Sequence, residues 1–354
     1  MAKGPRMRMG SNSRFAWSVI AWKMTRGRMA GSISPERRQA KGFSRFRPEE
    51  DWAINQNFRM TAVCSLVIRT FNEARYLDAV LTAVATQTWP ADRREVIVVD
   101  SGSDDGTLEI AARHGCRVLG IRREDFSFGR SLNLGCDAAT GDFLVFLSGH
   151  CVPTGPHWLE ELVRPFEDAA VAVAYGRQVG GPETKFSEHV LFEKYFPAHR
   201  ASKQAPFFCN NANAAFRRSA WATHRFDESL TGLEDMHLAR TLVERGQVVR
   251  YVPKAAVFHY HHERWAQVRR RYEREAIALH RIMPEVHVQW HDALRYFAAG
   301  VLGDMALALS RRQLFQKLPE IVAFRACQYH GAWRGNHAHR ELSRRQKERY
   351  FFPT

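Results

Sequence analysis

Apolar and polar positions come in blocks of two kinds from residue 63 onward. Short, largely apolar runs at 63–68, 95–100 and 143–147 predict buried strands, and 117–121 predicts a shorter one. Between them the spacing turns helical. Leu77, Val80, Leu81 and Val84 share one face of a helix over 77–86, and further helices are predicted over 107–114 and 131–139. Strands alternating with helices predict βαβ units, a mainly parallel sheet and an α/β fold. Such a sheet binds ligands beyond the carboxyl ends of its strands. The polar clusters at 70–73, 100–107 and 148–150 fall at those ends. A second part begins near Val171, with strands over 171–175 and 248–252, an amide-rich turn over 209–213 and a helix over 234–245. Beyond Trp265 the pattern is mainly helical and basic. Arg269, Arg270, Arg271, Arg311 and Arg312 flank apolar stretches such as 296–309. That pattern fits an amphipathic region on a membrane surface or a partner, and equally fits bundle helices packed on the core.

The 354 residues therefore divide into a segment 1–59 without periodicity, an α/β domain over 60–265 with halves at about 63–155 and 156–265, and a helical basic region over 266–354. The first segment is expected to be disordered or loosely attached, with Met60 as an alternative start. No run of 18 apolar residues occurs, so no membrane-spanning helix is predicted. Charge sharpens the division. The net charge is +15, and residues 1–59 hold thirteen Lys/Arg against four acids. Such a balance points to an anionic partner, a phospholipid surface or a phosphorylated substrate. Basic and aromatic residues are not interleaved in the way that stacks bases, which disfavours nucleic acid. Six scattered cysteines without a CxxC pair exclude zinc-finger and redox motifs and fit a reducing, cytoplasmic compartment.

Seven clusters carry chemistry. Ile68-Arg69-Thr70-Phe71-Asn72-Glu73 runs from a strand into a helix start, where free N–H groups favour anions. Val98-Val99-Asp100-Ser101-Gly102-Ser103-Asp104-Asp105-Gly106-Thr107 closes a strand with a carboxylate. Asp100 is suited to accept hydrogen bonds from a base or ribose, and Asp105 or Thr107 to cap the helix that follows. In Gly129-Arg130-Ser131-Leu132-Asn133-Leu134-Gly135, Arg130 sits where a guanidinium can grip a diphosphate. Ser148-Gly149-His150 ends a further strand. Thr231-Gly232-Leu233-Glu234-Asp235 offers paired acids at a helix start, which the helix dipole alone would also favour. Val257-Phe258-His259-Tyr260-His261-His262 puts His259 and His261 on one face if the backbone stays extended, a metal-ligand cue. Asn210-Asn211-Ala212-Asn213 offers amides to sugar hydroxyls, or to its own turn.

Taken in order, Thr-x-Asn-Glu, Val-Val-Asp-x-Gly-Ser-x-Asp-Gly-Thr, Gly-Arg-Ser-Leu-Asn-Leu-Gly and Phe-Leu-x-x-His with a following Trp-Leu resemble the inverting family 2 glycosyltransferases over roughly residues 63–265. The resemblance implies a GT-A fold, with a nucleotide-sugar half over 63–155 and an acceptor half over 156–265. It implies a nucleotide-diphospho-sugar donor held by Thr70, Glu73, Asp100, Ser103, Asp105, Arg130, Asn133 and Ser148. Asp235 would be the general base with Glu234 tuning it, and Asn211 and Asn213 would lie on the acceptor side. Family members commonly carry Asp-x-Asp where Ser148-Gly149-His150 stands, and the related polypeptide N-acetylgalactosaminyltransferases carry Asp-x-His followed by Cys. The expected metal ligands are therefore His150 and His259, for Mn²⁺ or Mg²⁺, at a motif weakened by the missing carboxylate. Imidazole favours Mn²⁺ of the two. The expected activity is a hexosyl- or rhamnosyltransfer to a saccharide or lipid-linked saccharide in surface or capsular polysaccharide synthesis, at the inner face of an anionic membrane. The lost carboxylate leaves an alternative: a non-catalytic relative that binds nucleotide-sugar as a scaffold.

Overall fold

A strand whose centre is apolar at every position must be covered on both faces, and Leu66-Val67-Ile68 of β1 (Cys64–Thr70) is. Leu66 and Ile68 point into one buried cluster with Val98, Val145 and Leu147, while Val67 points into another with Val99 and Phe146. This is the two-residue period of a strand buried on each side. The computed structural model describes residues 61–199, 204–338 and 350–351. The expectations for segment 1–59 and for Met60 lie outside the described residues.

The first half follows the sequence pattern. After β1 come α1 (Ala74–Ala85), β2 (Arg94–Asp100), α2 (Thr107–Arg113), β3 (Arg117–Gly120), α3 (Phe128–Ala138) and β4 (Phe143–Ser148). β1 pairs in parallel with β2 and β4, and β2 with β3. Thr70 lies opposite Asp100, and Arg69 opposite Ser148, so three polar ends share one rim.

The second half adds antiparallel pairs to the mainly parallel sheet. It contributes β5 (Cys151–Pro153), α4 (Trp158–Val163), β6 (Val171–Gly180), α5 (Phe186–Tyr195), β7 (Asn213–Arg217), α6 (Arg218–His224), α7 (Glu234–Glu244) and β8 (Val248–His259). The sheet order is β3-β2-β1-β4-β7-β6-β8-β5. The second half keeps one parallel pair, β6 with β8, whereas β7 is antiparallel to both β4 and β6, and β5 is antiparallel to β8, so the sheet is mixed. The Asn-Ala-Ala-Phe-Arg of β7 has no β-branched residue to announce a strand. β8 runs seven residues beyond the predicted 252, and its pairing with β6 is irregular at Gly176/Arg177. That extension matters, because it sets Cys151 opposite His259 and brings His150 alongside.

Three helices follow: α8 (Trp265–Ile282), α9 (Trp290–Ser310) and α10 (Leu314–Asn336). α10 lies close on α8 through Gly331 and Gly335; a Cβ there would stand 2.3 Å from the Arg269 carbonyl oxygen and 2.1 Å from that of Glu273. α9 is tied to α10 by a buried two-pronged pair, Arg325 Nε and Nη2 to Asp304, both at 2.7 Å. Among the described residues α9 alone is long and apolar enough to cross a membrane by length and composition, although only 17% of its most apolar window is buried. Asp304 breaks the strict apolar run that the sequence criterion asked for.

Candidate active site

The rim above β1 and β2 is a lattice of hydrogen bonds. Asp100 accepts from the N–H groups of Gly102 and Ser103 through one oxygen, and from the Thr70 and Ser103 hydroxyls through the other. Asn72, left-handed at φ 55°, bonds in both directions with Asp104, and its N–H donates to Ser103. Asp105 accepts from Thr107 and from the Ala74 N–H, so it braces the starts of α1 and α2. The expected nucleotide residues Thr70, Asp100, Ser103 and Asp105 are thus brought together, and each is already engaged within the protein.

Arg130 and Asn133 face elsewhere. Arg130 Nε donates to Glu228 at 2.8 Å, with its Nη1 on the Asp125 carbonyl. Asn133 is buried with its whole amide bonded, accepting from Trp221 and the Phe226 N–H and donating to the Phe226 carbonyl and Glu228. This corrects the expectation of a diphosphate contact there: the amide fastens α3 to the 226–228 loop. Asn213 is corrected likewise. It accepts from Trp158 Nε1 and donates to the carbonyls of Arg177 and Ala255, tying β7 to α4, β6 and β8 rather than facing an acceptor.

Asn211 behaves differently. Its N–H donates to Asp235 at 2.7 Å, while both polar atoms of its buried side-chain amide lack a partner. A buried amide left unmatched costs about 1–3 kcal/mol and marks where a ligand group would fit. Asp235 and Glu234 open α7, positioned by Leu233 in the left-handed conformation at φ 57°. That backbone costs a branched side chain on the order of 1–2 kcal/mol. Burial raises the Asp235 pKa to about 7, Glu234 pushes the same way, and the Asn211 and Met236 N–H groups and Arg69 pull against it. Arg69, whose own pKa burial lowers, stands 3.9 Å from Glu234. Phe128 lies between two guanidinium groups, with Arg69 4.7 Å and Arg274 4.5 Å from its ring centre. Neither arginine was among the expected site residues. Arg69 had a signal, a cation one residue before the carboxyl end of a buried strand.

The third part gathers histidines. His150 Nδ1 meets Glu73 Oε1 at 2.8 Å, and His259 Nδ1 meets Gln178 Oε1 at 2.7 Å. Their rings lie 5.1 Å apart, and His261 lies 4.1 Å from His259. One nitrogen of each of the three falls within 4.8 Å of the others. Burial and the neighbouring charges of His261 and His150 hold the His259 pKa well below the ordinary value, keeping it neutral. Burial works against a proton on His150, yet the Glu73 carboxylate raises its pKa overall. Ser148 is placed by its N–H on the Ala212 carbonyl and carries no charge to this cluster. Imidazoles with fixed acceptors behind them are a donor set that fits a divalent ion.

The family described as Glycosyl transferase family 2 matches residues 65–224. The O-antigen chain rhamnosyltransferase RfbN of Salmonella typhimurium is 28% identical over 209 residues, covering 56% of this chain and 66% of that protein. The O-antigen chain rhamnosyltransferase WbaN of Salmonella anatum is 28% identical over 180 residues, 47% of this chain and 56% of its own. The glycosyltransferase AglE of Haloferax volcanii is 38% identical over 116 residues, 32% and 38% respectively. The chain thus spans less than two thirds of these relatives' lengths. The mannosyltransferase PcManGT of Pyrobaculum calidifontis, solved with GDP-Man and Mn²⁺, superposes with a TM-score of 0.57 at 16% identity, over 82% of this chain and 97% of its own. That likeness shows the fold, which is GT-A.

Proposed function

We propose that this chain is a family 2 glycosyltransferase that inverts the anomeric centre of a sugar taken from a nucleotide-diphospho-sugar. The carrying observation is Asp235. It is a buried carboxylate tuned to about 7, fixed by the Asn211 N–H and bordered by the unmatched Asn211 amide. A base poised near the working pH is what deprotonation of a hydroxyl asks for. In the proposed reaction the acceptor hydroxyl gives its proton to Asp235 as its oxygen bonds to the anomeric carbon. The bond from that carbon to the diphosphate oxygen breaks, and the nucleoside diphosphate leaves as an anion. Arg69 and Arg274 supply positive charge beside this step. His150 and His259 would hold a divalent ion, Mn²⁺ or Mg²⁺, which supplies charge neutralisation for the diphosphate.

The donor's ribose and base would rest on the Thr70, Asp100 and Ser103 rim. The O-antigen rhamnosyltransferases among the relatives support a saccharide or lipid-linked saccharide acceptor in surface polysaccharide synthesis. The exposed apolar face of α9 supports action at a membrane surface, and the basic excess of residues 266–354 supports an anionic one. The alternative of a non-catalytic scaffold has the serine at 148 in its favour, whereas the tuning of Asp235 favours catalysis. Transfer from a panel of nucleotide-sugars to a saccharide acceptor tests the reading, with Asp235→Asn beside the wild type. Binding of donor with equal, negligible transfer by both proteins would overturn it in favour of the scaffold.

A further inference from the structure

Three histidines, not two, converge at the rim, and the bonding behind them is uniform. His150 Nδ1 is engaged by Glu73 Oε1, His259 Nδ1 by Gln178 Oε1 and His261 Nδ1 by Glu188 Oε1, at 2.8, 2.7 and 2.7 Å. Each acceptor oxygen accepts a hydrogen bond at Nδ1, which leaves Nε2 as the atom that can turn to an ion. An acceptor behind each imidazole is the arrangement that fixes the tautomer and ring direction of metal-bound histidines. The third support is itself held: Arg271 Nη2 donates to Glu188 at 2.6 Å and meets Glu263 at 2.7 Å. Burial opposes charge on Glu188, yet His261 and Arg271 hold its carboxyl well below the usual range.

We propose that His261 completes a three-imidazole site with His150 and His259, which selects a borderline transition-metal ion such as Zn²⁺, Co²⁺, Ni²⁺ or Mn²⁺ and rejects Mg²⁺. Glu73, Gln178 and Glu188 act behind it as positioning residues. This deepens the reading above, in which the ion neutralises the leaving diphosphate. A set of three imidazole nitrogens without a carboxylate is poorly matched to Mg²⁺, which demands hard oxygen ligands and gives up its water reluctantly. Imidazole suits the later first-row ions. The carboxylates one expects of a Mg²⁺ site are present, but Glu73 and Glu188 sit behind imidazoles.

The test uses the metal-stripped full chain, without donor sugar. Titration with Co²⁺ should give visible d–d absorption that saturates at one ion per chain. Zn²⁺ in equal amount should abolish it, and a thousandfold excess of Mg²⁺ should leave it. His261→Ala should weaken Co²⁺ binding at least tenfold. Glu188→Gln should weaken it about 10-fold and change the band shape, since it alters the ligand through its support. His280→Ala, remote from the cluster, should bind as the wild type. Displacement of Co²⁺ by Mg²⁺ at comparable concentration, or wild-type affinity in His261→Ala, overturns the proposal. Should His261→Ala fail to fold, the wild-type competition between Mg²⁺ and Zn²⁺ still decides. A protein that binds Co²⁺ one to one but transfers no sugar keeps this inference and loses the previous one. A protein that transfers sugar without binding Co²⁺ does the reverse.

Discussion

Asp235 is pulled in opposite directions by two neighbours, which makes its role separable from its burial. Glu234 raises its pKa and Arg69 lowers it. With Asp235 as the base, kcat/KM should fall tenfold per unit as pH drops below about 7. Glu234→Gln should move that inflection to lower pH, and Arg69→Met should move it higher while cutting kcat about 100-fold through lost stabilisation of the leaving group. Profiles of the two variants that shift in the same direction would contradict the assignment. Stability runs in the opposite direction with pH. The folded protein keeps a proton on Asp235 that the unfolded chain has already lost between about pH 4 and 7. Stability is therefore lost as pH rises through that window, by at most about 4 kcal/mol. Asp235→Asn should raise Tm at pH 8 and change it little at pH 4. Asp235 and the Asp100 rim were legible in the sequence, since a carboxylate at a strand end or helix start marks its own place. Asn133 and Asn213 were misread because an amide serves a backbone carbonyl as well as a sugar, and only the fold shows which is in reach.

At the scale of elements, the site depends on how closely the 148–151 turn approaches the start of α1. Gly149 permits that approach, since a Cβ there would lie 2.9 Å from Glu73 Cγ and 3.2 Å from its Cβ. Gly149→Ala should push Glu73 away from His150, loosening metal binding about tenfold while costing about 1–3 kcal/mol of stability. Metal titration and chemical denaturation of the same preparation separate the two effects. Undiminished metal affinity would show that the Glu73 contact does not support His150. The βαβ order of the first half was legible because its strands are largely apolar runs. The second half was not: β7 lacks the residue types that mark strands, and β8 continues through Pro253 and Lys254, which read as an end. Periodicity alone therefore leaves His259 and His150 as separate motifs, and only the family resemblance pairs them as expected metal ligands. Their meeting follows from the pairing of β5 with β8, a long-range contact invisible to local periodicity.

At the scale of the whole molecule, the basic excess and the exposed apolar positions fall in the same stretch of the sequence. Residues 266–354 hold sixteen Lys/Arg against eight Asp/Glu. Along α9, Leu294, Leu302 and Leu309 are 58%, 65% and 62% exposed, and Phe315 just beyond is 92% exposed. At 3.6 residues per turn the three leucines fall within about 80° of one another, a single stripe along the helix. A basic body with an apolar stripe suits an anionic bilayer better than it suits water or an acidic protein groove. The stripe enters the acyl boundary while the arginines stay at the headgroups. Each Lys or Arg near such a surface adds about 1 kcal/mol, and salt removes it. The protein should therefore float with vesicles containing anionic lipid at low salt, float less as salt rises, and stay in solution with neutral vesicles. Leu302→Asp combined with Leu309→Asp should abolish flotation while leaving transfer to a soluble acceptor unchanged, because α9 contributes no residue to the Asp235 or histidine clusters. If the wild type stays wholly soluble with anionic vesicles, or the double variant floats as well as the wild type, the stripe is not a membrane surface. The acceptor would then have to reach Asp235 from solution.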